Sequence, residues 1–192
     1  MSESGSQDPI SQLLDWLTSP WDSWASVPAP IPYPMFGRGS RHPFSWYFDG
    51  VSQVSVSNVG DLERWLLGCE YVSDRSLFGQ DDYWQHPGEF EQIRMGDCDD
   101  HALWAWRKLV GLEFPTSLVA GKWLTEPGDL HVWLLTSVSG QLHIFEATSK
   151  VLGEALRPFE NVRDRYVPYF SVDERFRTRA HLGGVQGFFR VG

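Results

Sequence analysis

The sequence predicts an α+β domain. A capped helix over 98–109 carries a broad apolar face, three strand-like runs follow at 116–123, 130–136 and 141–147, and Gly140 marks a turn between the last two. Composition agrees. The 192 residues include 10 Trp, 6 Tyr and 12 Phe, and 42% are hydrophobic, enough for one core of ordinary size.

Residues 1–45 read as a Pro/Trp-rich extension. Leu13, Leu14 and Leu17 lie at helical spacing within 10–17, and then Pro20, Pro28, Pro30, Pro32 and Pro34 forbid regular structure. The aromatics of this arm, Trp16, Trp21, Trp24, Tyr33 and Phe36, either dock a partner or fold back over the chain's own domain. The globular pattern starts near 58: a helix over 59–68 with Asn58 as its cap and Gly68 as its stop. Cys69 follows as a small buried hydrophobe, 71–85 shows neither helical nor strand period, and 87–94 is a short helix. The tail from 151 is less regular, with Gly183-Gly184 and Phe188-Phe189 marking a closing strand or strap.

Charge narrows the function classes. Sixteen Lys and Arg against 25 Asp and Glu give a formal net of −9, and no basic run is present, so nucleic acid and anionic bilayers are poor partners. Two cysteines build no disulfide framework, and no apolar run is long enough for a transmembrane span. The first residues are polar and acidic, unlike a secretory signal, so the sequence as written predicts a cytoplasmic protein, periplasmic or exported only with a missing leader or by another route. Oligomeric state is not legible.

The chemistry-bearing residues centre on Cys98. Asp97 is a natural N-cap and Asp100 its capping-box partner, so Cys98 falls in the first helical turn, where free N–H groups and the helix dipole favour a thiolate. Asp97, Asp99 and Asp100 oppose that by adding negative potential, so a basic partner is required. His131 begins a strand. A two-residue turn between Ser137 and Gly140 sets His131 directly across from Glu146, with Cβ atoms about 4.5–5.5 Å apart. A three-residue loop would instead put Glu146 on the other face. Thiol, imidazole and carboxylate form the triad logic of acyl transfer, with Cys98 as nucleophile, His131 as base and Glu146 orienting it. The Cys98 N–H is the first candidate oxyanion donor and the Gln92 amide the second. His42, His86, His143 and His181 read as structural or solvated.

Joined motifs add a resemblance. Tyr71-Val72-Ser73-Asp74, Gly79, Asp82-Tyr83-Trp84 with Pro87, Glu89 and Phe90, and Gly96-Asp97-Cys98-Asp99-Asp100 with Ala102 resemble the bacterial transglutaminase-like cysteine proteinases. His131, Glu146, Arg165-Tyr166-Val167-Pro168 and Ser171-Val172 continue it. The resemblance implies that 46–192 is a cysteine peptidase domain with a papain-like, transglutaminase-like core, the Cys98 helix packing on an antiparallel sheet that bears His131 and Glu146. It also implies a Cys/His/acid triad and a protein or peptide substrate. The best-known members cut large surface adhesins in the periplasm and need calcium. Three departures stand out: Glu146 where the family usually has Asp, His101 where Tyr is more usual, and no signal peptide.

The chemistry itself requires no cofactor. Charge repulsion among Asp97, Asp99 and Asp100, together with the resemblance, points to Ca²⁺ held by these three with Asp74, Asp81 or Asp82. The alternative is a solvated acidic patch with Asp97 only capping. The leading function is a cysteine hydrolase, a peptidase working through a thioester. The alternatives are transglutaminase-type transfer to amines, or a non-catalytic protein-binding module on a protease fold.

Overall fold

The computed structural model describes residues 23–125 and 130–184, so the helix expected at 10–17 and the Phe188-Phe189 strap lie outside the described residues. The arm contributes a short strand β1 (Ser26–Pro28) and two 3-10 turns, Tyr33–Met35 and Phe44–Phe48. There follow α1 (Val59–Leu67), β2 (Glu70–Tyr71), α2 (Asp74–Phe78), α3 (Pro87–Ile93), β3 (Met95–Gly96) and α4 (Cys98–Gly111). The second half holds β4 (Thr116–Trp123), β5 (His131–Val138), β6 (Gln141–Phe145), β7 (Leu156–Pro158), the short α5 (Phe159–Val162), β8 (Tyr166–Val172) and β9 (Thr178–His181). No helix among the described residues is long and apolar enough to cross a membrane.

Seven strands form one antiparallel sheet in the order β1-β9-β8-β4-β5-β6-β7, and β2 pairs with β3 in parallel at the mouth of α4. The fold class is the α+β one expected, with the Cys98 helix packed on the sheet. Alternation along β5 sends Val132 and Leu134 under α4, and Trp133 to a second, smaller cluster with Val119, Ile144, Phe159, Val162 and Tyr166 on the other face. Helix α4 is buried nearly all round, ten of its fourteen residues being inaccessible, where the sequence showed only a broad face. Its outer side is covered by α1, whose Trp65 stacks on Trp104 at 3.9 Å, and by an ion pair of 2.9 Å between Lys108 and Glu91 of α3. Glu91 also accepts from the Trp104 indole at 2.9 Å, so that charge is buried with its partners supplied.

The hairpin corrects one expectation. Val138 pairs with Gln141 and Leu134 with Phe145, so the two-residue turn is Ser139-Gly140, both in the left-handed region, one residue later than predicted. Glu146 therefore falls opposite the level of Trp133 rather than of His131. The slip is two in the register, an even number, so His131 and Glu146 keep a common face.

The region 71–85 is not a plain loop: Tyr71 enters β2 opposite Gly96, and α2 is stopped by left-handed Gly79. The arm is part of the domain, β1 pairing with β9 and Phe36 and Phe44 sitting in the main core, so a boundary at residue 45 falls inside one packed body. His181 secures that edge. Its Nδ1 faces the Trp24 carbonyl at 3.2 Å and its Nε2 the Ser171 hydroxyl at 2.9 Å. The carbonyl only accepts, so Nδ1 carries the hydrogen and neutral Nε2 accepts from Ser171.

Burial lowers the His181 pKa to about 4, with Arg179 adding to the effect and the Trp24 carbonyl opposing it. The unfolded chain binds the proton near the ordinary histidine value, so stability is present above that value and is lost as pH falls toward 4. Thermal melting of the wild type between pH 7 and pH 4 should show a fall in Tm that His181→Gln makes shallower. An unchanged slope in the variant would count against a neutral, structural His181.

Candidate active site

Cys98 owes its place to a buried carboxylate two residues on. Asp100 is inaccessible and accepts from the Gln85 N–H at 2.8 Å, the Gln85 side-chain amide at 2.5 Å and the Asp97 N–H at 3.2 Å. The last is the return half of the predicted capping box. Gly96 is required here because a Cβ would overlap both the Asp100 carboxylate and the Gln85 amide. The start of α4 is thereby locked to the loop before α3.

A split in the sheet brings the thiol to the imidazole. In a two-residue hairpin the closing pair is hydrogen-bonded, so the even residues of β5 aim their N–H groups at β6. The ladder ends at Leu134 and Phe145, leaving the Val132 N–H without its next strand partner, and that group points at the Cys98 sulfur. Cys98, His131 and Glu146 line one cleft of about 540 Å³, with Tyr71, Trp123 and Tyr166 among its other walls.

His131 Nε2 and Glu146 Oε2 are 2.8 Å apart. An ionised carboxylate only accepts, so Nε2 carries the hydrogen and Nδ1 of the neutral ring is left as the basic atom. Glu146 also accepts from the Thr148 hydroxyl at 2.6 Å, the Thr148 N–H at 3.3 Å and the Tyr166 hydroxyl at 3.3 Å. Burial alone would raise its pKa, but His131 and the Thr148 bonds outweigh that and hold the carboxyl below its ordinary value. Trp123 stacks on the His131 ring at 5.0 Å and on Tyr166 at 5.8 Å, shielding the pair from water on one side.

On the other side of Cys98 lies a nest of acids. Carboxylate oxygens of Asp74, Asp82 and Asp99, and of Asp74, Asp97 and Asp100, gather within 4.8 Å in each group, as do those of Asp97 and Asp99 with the Cys98 sulfur. Asp74 Oδ1, Asp97 Oδ1 and Asp99 Oδ1 are buried with no hydrogen-bond partner, and no Lys or Arg among the described residues is paired with them. Burial and the charge of Asp97 push Asp74 up to about 7, and burial with the neighbouring carboxylates drives Asp99 well up. Orphaned hard oxygens at this spacing fit a calcium ion. Asp97, Asp99 and Asp100, the three read in the sequence, all fall in these groups, and Asp74 and Asp82 join them. Asp100 also holds the Gln85 and Asp97 donors, and exposed Asp81 pairs with Arg75 instead.

Two more sequence readings change. Gln92 is an exposed residue of α3 and is not among those lining the cleft, so it is not placed to donate to an oxyanion there. His101, the departure without an explanation in the sequence, is buried with Nδ1 on the Asp97 carbonyl at 2.8 Å and Nε2 facing Lys150 Nζ at 3.2 Å. Lys150 also donates to the Leu66 and Cys69 carbonyls at 3.0 and 2.9 Å, so neutral His101 ties α4 to the loop that carries Thr148. Sequence reasoning gave no role to Tyr71 as a cleft wall, or to Thr148, Tyr166 and Trp123. Trp123 had one usable signal, since it ends the strand adjoining His131.

Burial, and then Asp97, raise the Cys98 pKa well above the ordinary thiol value, while the Val132 N–H works the other way. In chelator at pH 7, iodoacetamide should therefore alkylate Cys98 more slowly than a free cysteine, and Asp97→Asn should speed it severalfold. Equal rates for the variant and the wild type would contradict this account of the thiol.

No family model matches the chain, and no curated protein does. Among solved structures it is similar to calcium-bound LapG of Legionella pneumophila, at 20% identity and a TM-score of 0.48, covering 68% of this chain and 72% of that one. EGTA-treated LapG of the same organism gives 20% and 0.47, over 67% and 69%. A TGase gives 16% and 0.37, over 53% of this chain and 28% of its own.

Proposed function

We propose that the chain is a cysteine hydrolase of the transglutaminase-like kind that cleaves a peptide bond in a protein substrate through a thioester on Cys98. The observation that carries this reading is the His131–Glu146 bond of 2.8 Å, made inside the cleft onto which Cys98 opens. His131 Nδ1 takes the thiol proton as sulfur attacks the carbonyl carbon, and the Cys98 N–H, lacking an intrahelical acceptor, faces the developing oxyanion. The imidazolium, stabilised by Glu146, then gives its proton to the leaving amine, and water activated by the same ring releases the acid. An amine in place of that water would give transfer instead, so product analysis with and without a primary amine separates the two fates.

A thiol-directed activity probe should label the wild type at Cys98. Cys98→Ala should abolish labelling, and His131→Ala should reduce it to background. Turnover of protein substrates should fall in the same order, with Glu146→Gln costing less, on the order of tenfold to a hundredfold, because its task is to orient the ring. Full turnover by Cys98→Ala would end the reading.

Asp74, Asp97, Asp99 and Asp82 are the residues that would hold calcium, completed by backbone carbonyls or water. When bound, the ion supplies positive charge that cancels carboxylate repulsion beside the nucleophile. Calorimetry with Ca²⁺ should show binding heat, and Tm should rise over that in chelator. Asp99→Asn should raise Tm in chelator by removing a buried charge, yet lose the calcium response. Neither heat nor a Tm shift would overturn the calcium site and leave Asp97 as a helix cap beside buried acids.

A further inference from the structure

The cleft is electrically lopsided. Asp74, Asp82, Asp97 and Asp99 crowd the helix side of Cys98, whereas Arg157 and Arg165 line the wall that carries Glu146 and Tyr166. Both arginines lie close enough to bear on the Tyr166 phenol, whose hydroxyl bonds to Glu146. The two carboxylates on that wall are already engaged: Glu146 by His131, Thr148 and Tyr166, and Glu154 by Arg157. Arg165 is different. Its carbonyl is fixed by the Leu124 N–H at 2.7 Å and the next residue is buried Tyr166, so its backbone is held, but its exposed guanidinium meets no acceptor among the described residues. In a chain of formal net charge −9, an unspent guanidinium facing a cleft marks that wall for an anion.

We propose that Arg165 forms a subsite for a carboxylate side chain of the substrate, an Asp or Glu on the C-terminal side of the scissile bond. The proposal rests on the hydrolase reading, which also fixes the direction. His131 must hand its proton to the leaving nitrogen, so the segment carrying that nitrogen leaves along the His131, Glu146 and Tyr166 wall, where the arginines stand. The planar fork of a guanidinium matches a carboxylate with two parallel hydrogen bonds. The acids across the cleft would repel the same side chain, which sharpens the choice of side.

The test has two arms. Wild type is incubated with a proteome-derived peptide library whose C-termini are amidated, and cleavage sites are read by mass spectrometry. The expected profile is Asp and Glu enriched about fivefold C-terminal to the cut, with Arg165→Glu shifting the enrichment to Lys and Arg. A flat profile overturns the side-chain subsite while leaving the hydrolase reading intact. The second arm measures binding of two fluorescein-labelled pools of the library, acidic and with Asp and Glu replaced by Asn and Gln, to Cys98→Ala, which cannot turn over. Tighter binding of the acidic pool, lost in Cys98→Ala/Arg165→Glu, supports the subsite even if wild type cuts nothing, a result that would sink only the hydrolase reading. Equal binding of the two pools, or none, overturns the subsite.

Discussion

One buried carboxylate sets the frame of this molecule. Asp100 gathers three donors from Gln85 and Asp97, joining the start of α4 to the loop before α3 in a place water does not reach. Burial and the neighbouring Asp97 push its pKa well up, and the Gln85 donors oppose them. Removing those donors would leave a buried charge unpaired, which is far costlier than never having built the cluster. The position of Cys98, the closeness of Asp74 and Asp82 to Asp97 and Asp99, and the need for glycine at 96 all descend from this contact. The polar lock fixes the register of α4 at its N-terminus, and the buried Trp104 and Trp106, the first stacked on Trp65 and the second donating to the Thr116 carbonyl at 2.9 Å, fix it further along.

The second constraint is where the sheet stops. β6 parts from β5 after Phe145, while the Glu146 N–H, which faces β7, bonds the Ala155 carbonyl at 2.8 Å and carries the β6–β7 pairing one residue further. The opening exposes the Val132 N–H to the thiol, so a sulfur that starts on the α4 face and an imidazole that alternation assigns to the opposite face can share one cleft. A ladder continued by two more residues would seal that opening. The split is therefore as much a part of the site as the side chains, and Lys150, bound to His101 and to the end of α1, holds the departing loop in place.

What the sequence made legible follows from how local each signal is. The α4 cap, Asn58 as the cap of α1, and strands β4 to β6 rest on neighbours a few residues apart. The common face of His131 and Glu146 was legible because parity survives a slip of two, although the register itself was not: choosing Ser139-Gly140 over Val138-Ser139 depends on Ser139 accepting a positive φ, which a serine does not announce. Long-range pairings were silent. Ser26 against His181 and Tyr71 against Gly96 leave no periodic trace, and β8 and β9 were lost in a tail whose Pro168 and charged residues obscure alternation. Gln92 was read as an oxyanion donor because a side chain's burial cannot be read from spacing; the structure leaves Gln92 exposed and outside the cleft lining.

The same geometry explains why a base is indispensable to the proposed chemistry. A thiol at a helix N-terminus is commonly credited with a low pKa from the dipole, worth at most about 1–2 kcal/mol in a partly buried setting. Here burial and the charge of Asp97 drive it the other way, with Glu146 and Asp100 adding to the effect. In the proposed chemistry the thiol therefore gains little from the dipole, which would serve chiefly through the unpaired first-turn amide facing the developing oxyanion. The proposed chemistry gives proton removal to His131, whose orientation is over-determined: Glu146 fixes Nε2, Thr148 and Tyr166 fix Glu146, and Trp123 stacks on the ring. A carboxylate with that many donors is held below its ordinary pKa without an arginine or lysine bound to it, which suits it to stabilise an imidazolium in the proposed chemistry. The longer side chain of Glu146 is compatible with this because the hairpin slip sets it diagonally from His131, and one added methylene spans the diagonal that a directly opposed residue would not need to cross.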